Sequence, residues 1–347
     1  MLSNRLLNLL LASLFISTPS LLFSQDDAAR SAQGNEERVD LTTRPTPEKG
    51  ATQVTARMII LNIEQIKGAE QSFTADIAFE AIWQDDRLKH NNKEKITKKL
   101  SEIWHPDFQI LNRQRVQTTF PEDAEISANG EVRYIQRVWG MFSQALQLKD
   151  FPFDTQKLEV TLLSPGNSPG SVLIQENAEN PSRVSDTFSI ADWEMVAWKS
   201  GATELPLFSG NGSIPSFHTS VTMKRDSGYY FINVILPLFL IICMSWIVFW
   251  IPSSQMGPRI SVSVTAMLTL TAYRFAIGAS LPKIAYLTRL DWFILGSSIL
   301  VFISLIEVVV TSALVEKERQ TLARKINHSM RWVAPTAFLL LALLSLF

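Results

Sequence analysis

Cysteine is almost absent from this chain of 347 residues, which contains Cys243 alone together with four histidines. A single cysteine cannot form an intrachain disulfide, and because it lies in an apolar run the sequence predicts a small buried side chain there. His90, His105, His218 and His328 lie far apart, without the close spacing that is typical of a zinc site. We therefore expect no metal site and no disulfide framework.

An excess of charge of one sign is also missing, since 32 basic residues face 33 acidic ones. This balance excludes the strongly basic surface that nucleic acid attracts. The chain also lacks a glycine-rich phosphate loop, a nucleophile elbow and an HExxH motif. We expect no catalytic residues, no cofactor and no binding of nucleic acid.

Apolar residues make up 46% of the chain and gather in its C-terminal third. Four segments there are close to the ~20 residues that cross a ~30 Å hydrocarbon core. These segments are Tyr229 to Ile251, Ile260 to Ala279, Trp292 to Val315 and about Ile326 to Phe347. The sequence thus predicts a four-helix transmembrane domain over residues 227–347.

The N-terminal part consists of three segments that differ in composition. Arg5 precedes an apolar stretch that is typical of a secretory signal, so residues 1–24 are predicted to be a signal peptide. Residues 25–52 are rich in charge, Gly, Pro and Thr and predict a flexible leader. Residues 53–226 contain many short alternating runs, which predict an extracellular antiparallel β-sandwich.

Basic residues indicate the orientation of the bundle. If the sandwich lies outside, the cytoplasmic connections carry five of them and the outer connection two, which follows the positive-inside rule. The cytoplasmic five are Arg259, Lys317, Arg319, Arg324 and Lys325, and the outer two are Lys283 and Arg289. We expect a multi-pass protein surrounded by lipids, with both mature termini outside.

The second apolar segment mixes hydroxyl residues into its sequence. At spacings of three and four, one helical face would carry a polar lower part and an apolar upper part. That face consists of Ser261, Thr265, Leu268, Ala272, Phe275 and Ala279. Such a stripe suits a pore wall in which the apolar residues close by dewetting, although small hydroxyl residues also allow ordinary close packing of helices.

Several motifs, in the same order along the chain, resemble the pentameric ligand-gated channels, or Cys-loop receptor superfamily. They are Trp83-Gln84-Asp85-Asp86-Arg87-Leu88, Trp104-His105-Pro106-Asp107, Phe151-Pro152-Phe153-Asp154, Gly257-Pro258-Arg259 and Leu281-Pro282-Lys283. Gln144 and Leu158 stand where animal members have the two cysteines of the signature loop. That difference, the short connection between the last two spans and the predicted signal peptide resemble bacterial members, so the inner membrane is expected.

The resemblance implies a homopentamer of four further identical subunits around a path for inorganic ions. It implies that Phe151, Pro152, Phe153, Asp154, Arg225 and Lys283 couple the sandwich to the pore, with Asp154 and Arg225 as an ion pair. An unknown small agonist, or protons, would act between subunits. By family position, the ligand-binding candidates are Ala78, Glu80, Arg113, Arg115, Phe208 and Phe217.

Gly257-Pro258-Arg259 at the inner mouth contains no acid and resembles the mouth of anion-selective members. Five copies of Arg259 would concentrate anions, so chloride permeation is favoured over the alternative of cation selectivity. Arg274 and Glu307 are ionisable residues within spans, and their depths predict that they do not meet. A membrane-anchored receptor that does not conduct is the rival function, and a transporter is a weaker one because broken helices are missing.

Overall fold

The computed structural model describes residues 40–206, 212–278, 281 and 284–346. The predicted signal peptide lies outside this range. The later part of the predicted leader differs from the expectation, because it is attached to the sandwich: the carbonyl of Leu41 accepts a hydrogen bond from the Trp104 amide, and Arg44 donates to the carbonyl of Ser171. Residues 41–51 are therefore not a free segment.

Strands in the described part of the chain form two sheets. In chain order they are β1 (Thr52–Lys67), β2 (Ser72–Gln84), β3 (Ile96–Lys99), β4 (Gln109–Ile110), β5 (Arg113–Thr118), β6 (Asp123–Ile126), β7 (Glu131–Ser143), β8 (Thr155–Leu163), β9 (Val172–Glu176), β10 (Arg183–Val184), β11 (Trp193–Pro206) and β12 (Ser213–Arg225). The larger sheet has the order β10-β1-β2-β7-β6-β3, with β5 also on β7 and β9 also on β1. The smaller sheet has the order β11-β12-β8-β4.

The core between the sheets follows from the alternation of side chains along each strand. On β2, every second residue from Phe73 to Trp83 is buried, and Phe217 and Val221 of β12 belong to the same apolar cluster. Most neighbouring pairs are antiparallel, while β9 and β10 join β1 in parallel. The predicted sandwich is confirmed.

Four helices long and apolar enough to cross a membrane follow the sandwich within the described residues: α1 (Gly228–Trp250), α2 (Met256–Gly278), α3 (Arg289–Glu316) and α4 (Gln320–Leu346). Each is close to its predicted span, and α4 begins earlier, as its short apolar tail requires. Buried residues of the four helices share one apolar cluster, which also contains Leu148 and Phe151 from the loop between β7 and β8. This loop therefore packs into the end of the bundle next to the sandwich.

Helix α1 widens to a π-helical turn at Phe231–Ile235, directly before Pro237. Proline has no N–H, so the carbonyl four residues earlier loses its usual helical partner. The hydroxyl of Tyr273 on α2 lies 3.2 Å from that carbonyl, of Asn233, and 2.7 Å from the carbonyl of Val234. The carbonyls that the distorted turn of α1 leaves free thus bind the Tyr273 hydroxyl of α2.

Candidate functional site

Helix α2 has two opposite faces. Arg259, Ser263, Ala266 and Leu270 are buried against the other helices. At 100° per residue, the predicted stripe that begins at Ser261 lies about 200° away from Arg259. All five described members of that stripe are exposed in the single subunit, and Leu268 and Phe275 are 65% and 82% exposed. The sixth, Ala279, lies outside the described residues.

Two threonine hydroxyl groups of α2 donate to the helix itself. Thr265 donates to the carbonyl of Ser261 at 2.7 Å and Thr269 to the carbonyl of Thr265 at 2.8 Å. With the proton used in this way, each threonine oxygen retains lone pairs as acceptors. The face therefore offers neutral oxygen atoms below and apolar carbon above.

The expectation that Arg259 faces an ion path is wrong, because its side chain is completely buried. Its guanidinium lies 3.0 Å from a carboxylate oxygen of Glu307 and 3.0 Å from the amide oxygen of Asn327, and it donates to Thr311 at 2.9 Å. A buried charge is tolerated only with such partners. Gly257 and Pro258 are exposed, but the charge of the motif points into the bundle.

These four side chains, Arg259, Glu307, Thr311 and Asn327, form what we call the inner cluster. It joins α2, α3 and α4, and Asn327 extends it to α1 by donating to the carbonyl of Phe249 at 2.9 Å. Glu307 therefore has a partner, which sequence reasoning missed. Arg259 and Glu307 both lie toward the end of the bundle away from the sandwich, but sequence position alone does not pair them, because they belong to different helices.

The predicted pair of Asp154 and Arg225 is confirmed as a buried ion pair. The Nε atom of Arg225 lies 2.8 Å from Oδ1 of Asp154, and the two side chains are 6% and 1% exposed. The Arg225 guanidinium also lies over the rings of Trp193 and Phe151, 4.2 Å and 5.0 Å from their centroids. Cation–π contacts of this kind add to the pairing.

The loop between β7 and β8 contacts the start of α3 through both backbone and side chains. The amide of Leu290 donates to the carbonyl of Phe151 at 3.2 Å, and Asp150 forms an ion pair with Arg289 at 2.8 Å. The amide of Leu148 donates to the hydroxyl of Tyr286 at 3.0 Å. Pro152, after a cis peptide bond, is buried and Phe153 is half-buried in this loop, whereas Lys283 lies outside the described residues.

Two glutamine side chains hold the same loop closed. The carboxamide of Gln144 donates to the carbonyl of Lys157 and accepts from the amide of Glu159. The carboxamide of Gln156 likewise donates to the carbonyl of Gln147 at 2.8 Å and accepts from its amide at 3.1 Å. Each carboxamide thus forms the two hydrogen bonds that a backbone amide group of a neighbouring strand would form. They do so at the place where animal relatives are expected to have a disulfide.

The ligand-binding candidates do not form one site in a single subunit. Ala78 and Glu80 lie on the outward face of β2, and Arg113 and Arg115 are exposed on β5. The prediction that Phe217 binds the ligand is wrong, because its side chain is completely buried in the sandwich core. Phe208 lies outside the described residues.

A row of charges on the outward face of the larger sheet was also missed. Glu80 is 5% exposed and pairs with both Arg57 and Arg133. Asp76 pairs with Arg137 at 2.5 Å, and this hydrogen bond raises the pKa of the Arg137 guanidinium. Alternation along β2 places Asp76 and Glu80 on one face, but their partners depend on the register of β1 and β7.

Comparison with known proteins agrees with this architecture. The family model for the neurotransmitter-gated ion-channel ligand binding domain matches residues 36–226, and the model for the neurotransmitter-gated ion-channel transmembrane region matches residues 234–334. A similar protein is the gamma-aminobutyric acid receptor subunit beta of Caenorhabditis elegans, 25% identical over 279 residues. The match covers 77% of this chain and 50% of that relative, so the chain spans about half the relative's length.

The sandwich, the four helices and the two family models occur in the same order along the chain, and the ligand-binding domain alone matches more than half of it. The chain belongs to the neurotransmitter-gated ion-channel family.

Proposed function

We propose that this chain is one subunit of a homopentameric ligand-gated ion channel whose pore is lined by α2. The exposed face of α2 carries the proposal. Leu268 and Phe275 are more exposed than most large apolar side chains of the molecule, yet they share a face with Ser261 and Thr265. Aligned hydroxyl groups are not expected on a helix face that contacts only lipid. A ring of five such helices would instead form a pore with a hydrated lower part and an apolar gate above it.

The contact between the β7–β8 loop and α3 supports the coupling of ligand binding to opening. Asp154 and Arg225 join the loop to the end of β12, from which α1 continues directly. Phe151 and Leu148 belong to the apolar cluster of the bundle. A movement of the sandwich would therefore reach α1 and α3 through packed and hydrogen-bonded groups, and Lys283 is proposed to take part through the connection between α2 and α3.

For the permeating ion, we propose weak selectivity between small cations and anions. Arg259 does not support the predicted preference for anions, because its charge is buried beside Glu307. In the described part of α2, the proposed pore face carries no formal charge, and its oxygen atoms are neutral. Without a charged ring, the described part of this face has no strong means of separating ions by sign.

For the agonist, we propose a small molecule with a carboxylate, bound between neighbouring sandwiches. The relative in Caenorhabditis elegans is named for gamma-aminobutyric acid, which has such a group. In this chain Arg115 lines a cavity of about 350 Å³ with Thr74 and Trp139 on the outward face of the larger sheet. A guanidinium beside an aromatic ring suits a small carboxylate. Activation by protons remains the alternative.

We also propose the bacterial inner membrane as the location, with the sandwich and the C-terminus outside. The basic residues at the end of the bundle away from the sandwich support this orientation. Gln144 and Leu158 at the positions of the two loop cysteines, and the short connection between the last two spans, support the bacterial origin.

The test is the current through purified protein in planar bilayers under a KCl gradient, with a screen of pH values and of small amino acids, carboxylates and amines. We expect a reversal potential between the equilibrium potentials of chloride and potassium. Reversal at chloride's value would show that the mouth motif selects anions despite the buried Arg259. Reversal at potassium's value would contradict weak selectivity in the other direction.

Leu268→Ala distinguishes a silent channel from a receptor that does not conduct. A smaller apolar ring should wet more easily, so this variant should open more often, even without agonist. Ile260→Ala is the matched control, because Ile260 is 42% exposed on α2 but lies off the stripe. If Leu268→Ala is also silent while the pentamer remains intact, the receptor that does not conduct becomes the better explanation.

A further inference from the structure

A cavity of about 550 Å³ lies where the turn between β4 and β5 meets the two ends of the β7–β8 loop. We call it the loop cavity. Its walls come from that turn, from the end of β7 with the first residues of the loop, and from β8. It shares no lining residue with the proposed agonist cavity beside Arg115. Its volume is within the roughly 300–1,000 Å³ that sites for small molecules occupy.

Carboxamide and hydroxyl groups form most of the polar lining of the loop cavity. Gln144 and Gln156 line it while their carboxamides close the loop. The side chains of Ser143, Gln147 and Thr155 also line it, are exposed, and form no hydrogen bond with another residue in the described part of the chain. Each of these three can both donate and accept, so an occupant would find partners of both kinds.

Asn112 adds an acceptor that has no partner. The Nδ2 atom of Asn112 donates to the carbonyl of Glu159 at 2.8 Å, which fixes the carboxamide against β8. Its Oδ1 atom is buried and accepts no hydrogen bond from the described residues. A buried acceptor without a donor is costly, so this wall of the cavity favours an occupant that donates a hydrogen bond.

The charges of the lining balance. Among the described residues that line the cavity, the charged ones are Lys157 and Glu159, two positions apart on one face of β8, with Nζ and Oε2 2.9 Å apart. A ligand with a net charge would be attracted by one of them and repelled by the other. A hydroxyl group can donate to the carboxylate and accept from the ammonium group, so it suits both.

We propose that the loop cavity binds a small uncharged polyhydroxy compound of the monosaccharide class. Its hydroxyl groups would donate to Oδ1 of Asn112 and to the carboxylate of Glu159, and would accept from Lys157. The side chain of Leu111, which is 51% exposed at the edge of the cavity, would contact the carbon face of the sugar ring.

The position of the loop cavity connects the sugar site to the coupling loop. An occupant would join the β4–β5 turn to both ends of the loop, next to the carboxamides of Gln144 and Gln156. The same loop contacts the start of α3 through Phe151 and Asp150. A bound sugar would therefore favour one conformation of the loop and change how often the channel opens. This effect on opening rests on the proposed function, whereas the binding itself does not.

The test measures sugar binding to the purified full-length protein in mild detergent. D-glucose, D-galactose and D-mannose are each titrated beside the L enantiomer, and binding is followed by saturation-transfer NMR of the sugar. The enantiomers have the same size, polarity and effect on the solvent, so a difference between them reports a specific site. We expect the protein to prefer the D form of at least one sugar. Equal binding of both forms of all three sugars would overturn the proposal.

Lys157→Met locates the site, because the exposed ammonium group is lost while the length of the side chain is nearly kept. We expect the Kd for the preferred sugar to rise about tenfold, as the loss of one hydrogen bond to a charged group predicts. Lys149→Met is the matched control, since Lys149 is exposed in the same loop but does not line the cavity. Equal weakening by the two variants would overturn the proposal.

Two further measurements separate this site from other ligands. Arg115→Gln should bind the sugar like the wild type, whether or not Arg115 binds the agonist. A loss of sugar binding in Arg115→Gln would move the sugar to the agonist cavity and overturn the proposal. Glycine that binds more tightly than the sugars, and loses its affinity in Lys157→Met, would assign the loop cavity to a zwitterion instead.

Current recordings test the connection to the coupling loop. At equal osmolality, the preferred D sugar should change the open probability of the wild type relative to its L enantiomer, and the difference should be smaller in Lys157→Met at the same sugar concentration. Sugar binding without any change in opening would keep the site and overturn its connection to the coupling loop.

Discussion

A buried ion pair lies near each end of the bundle, one in the adjoining sandwich and one among the helices, and the two pairs have different surroundings. At the sandwich end, Arg225 pairs with Asp154 and also lies over the rings of Trp193 and Phe151. Both the carboxylate and the two rings therefore compensate its charge. At the opposite end, Arg259 pairs with Glu307 inside a network of hydroxyl and amide groups from three helices. The first pair joins two segments of the sandwich at its junction with the bundle, while the second joins helices within the bundle.

This difference predicts separate roles. A pair at the junction of two domains can change geometry when one domain moves, and its loss should affect opening more than assembly. A pair that is enclosed by one bundle should affect stability most, because removal of one partner leaves the other charge buried. A third pair, Arg289 with Asp150, is 39% and 59% exposed and provides a reference for a pair near water.

The largest effect is expected from Glu307→Gln, which leaves the guanidinium of Arg259 buried with neutral partners only. We expect a loss of about 3–5 kcal/mol of stability. The measurement is the temperature at which the detergent-solubilised pentamer dissociates. Arg259→Met with Glu307→Leu removes both charges and should regain most of the loss. If Glu307→Gln were as stable as the wild type, the inner cluster would not fasten the helices.

Asp154→Asn should have an intermediate effect on stability and the largest effect on opening. The rings of Trp193 and Phe151 still contact Arg225 in this variant, so part of its charge stays compensated. We expect assembled pentamers that bind the agonist nearly as well as the wild type but open less, as measured by ligand binding and single-channel recording. A variant with unchanged opening would remove the pair from the coupling mechanism.

Asp150→Asn should have the smallest effect, under ~1 kcal/mol, because an ion pair near water gains little. The shift in dissociation temperature should be close to the error of the measurement. The same substitution tests whether burial ranks the three pairs. A loss as large as that of Glu307→Gln would show that the position at the junction matters more than exposure.

Local patterns predicted much of this molecule. Spacings of three and four on α2 identified the face from Ser261 to Phe275, and alternation identified the strands of the sandwich. The motif positions of Asp154 and Arg225 identified a pair that is far apart in sequence. These features depend on helix and strand periods or on a resemblance that covers several motifs.

The missed features depend on packing between elements. The partner of Arg259 is 48 residues away on another helix, and only the tertiary arrangement places Glu307 beside it. The offset of two residues between Arg259 and Ser261 already separates them by about 200°, so the helical period alone argued against Arg259 in the pore. Phe217 shows the same error on a strand, since it shares the inward face with Val221 and Met223.

The carboxamides of Gln144 and Gln156 have a consequence for how the protein matures. A loop that is closed by hydrogen bonds needs no oxidant, so it can form as soon as β7 and β8 come together. It also survives in a reducing medium, where a cystine would be lost at a rate set by the local thiols. Folding of this protein is therefore expected to be independent of the enzymes that make disulfides.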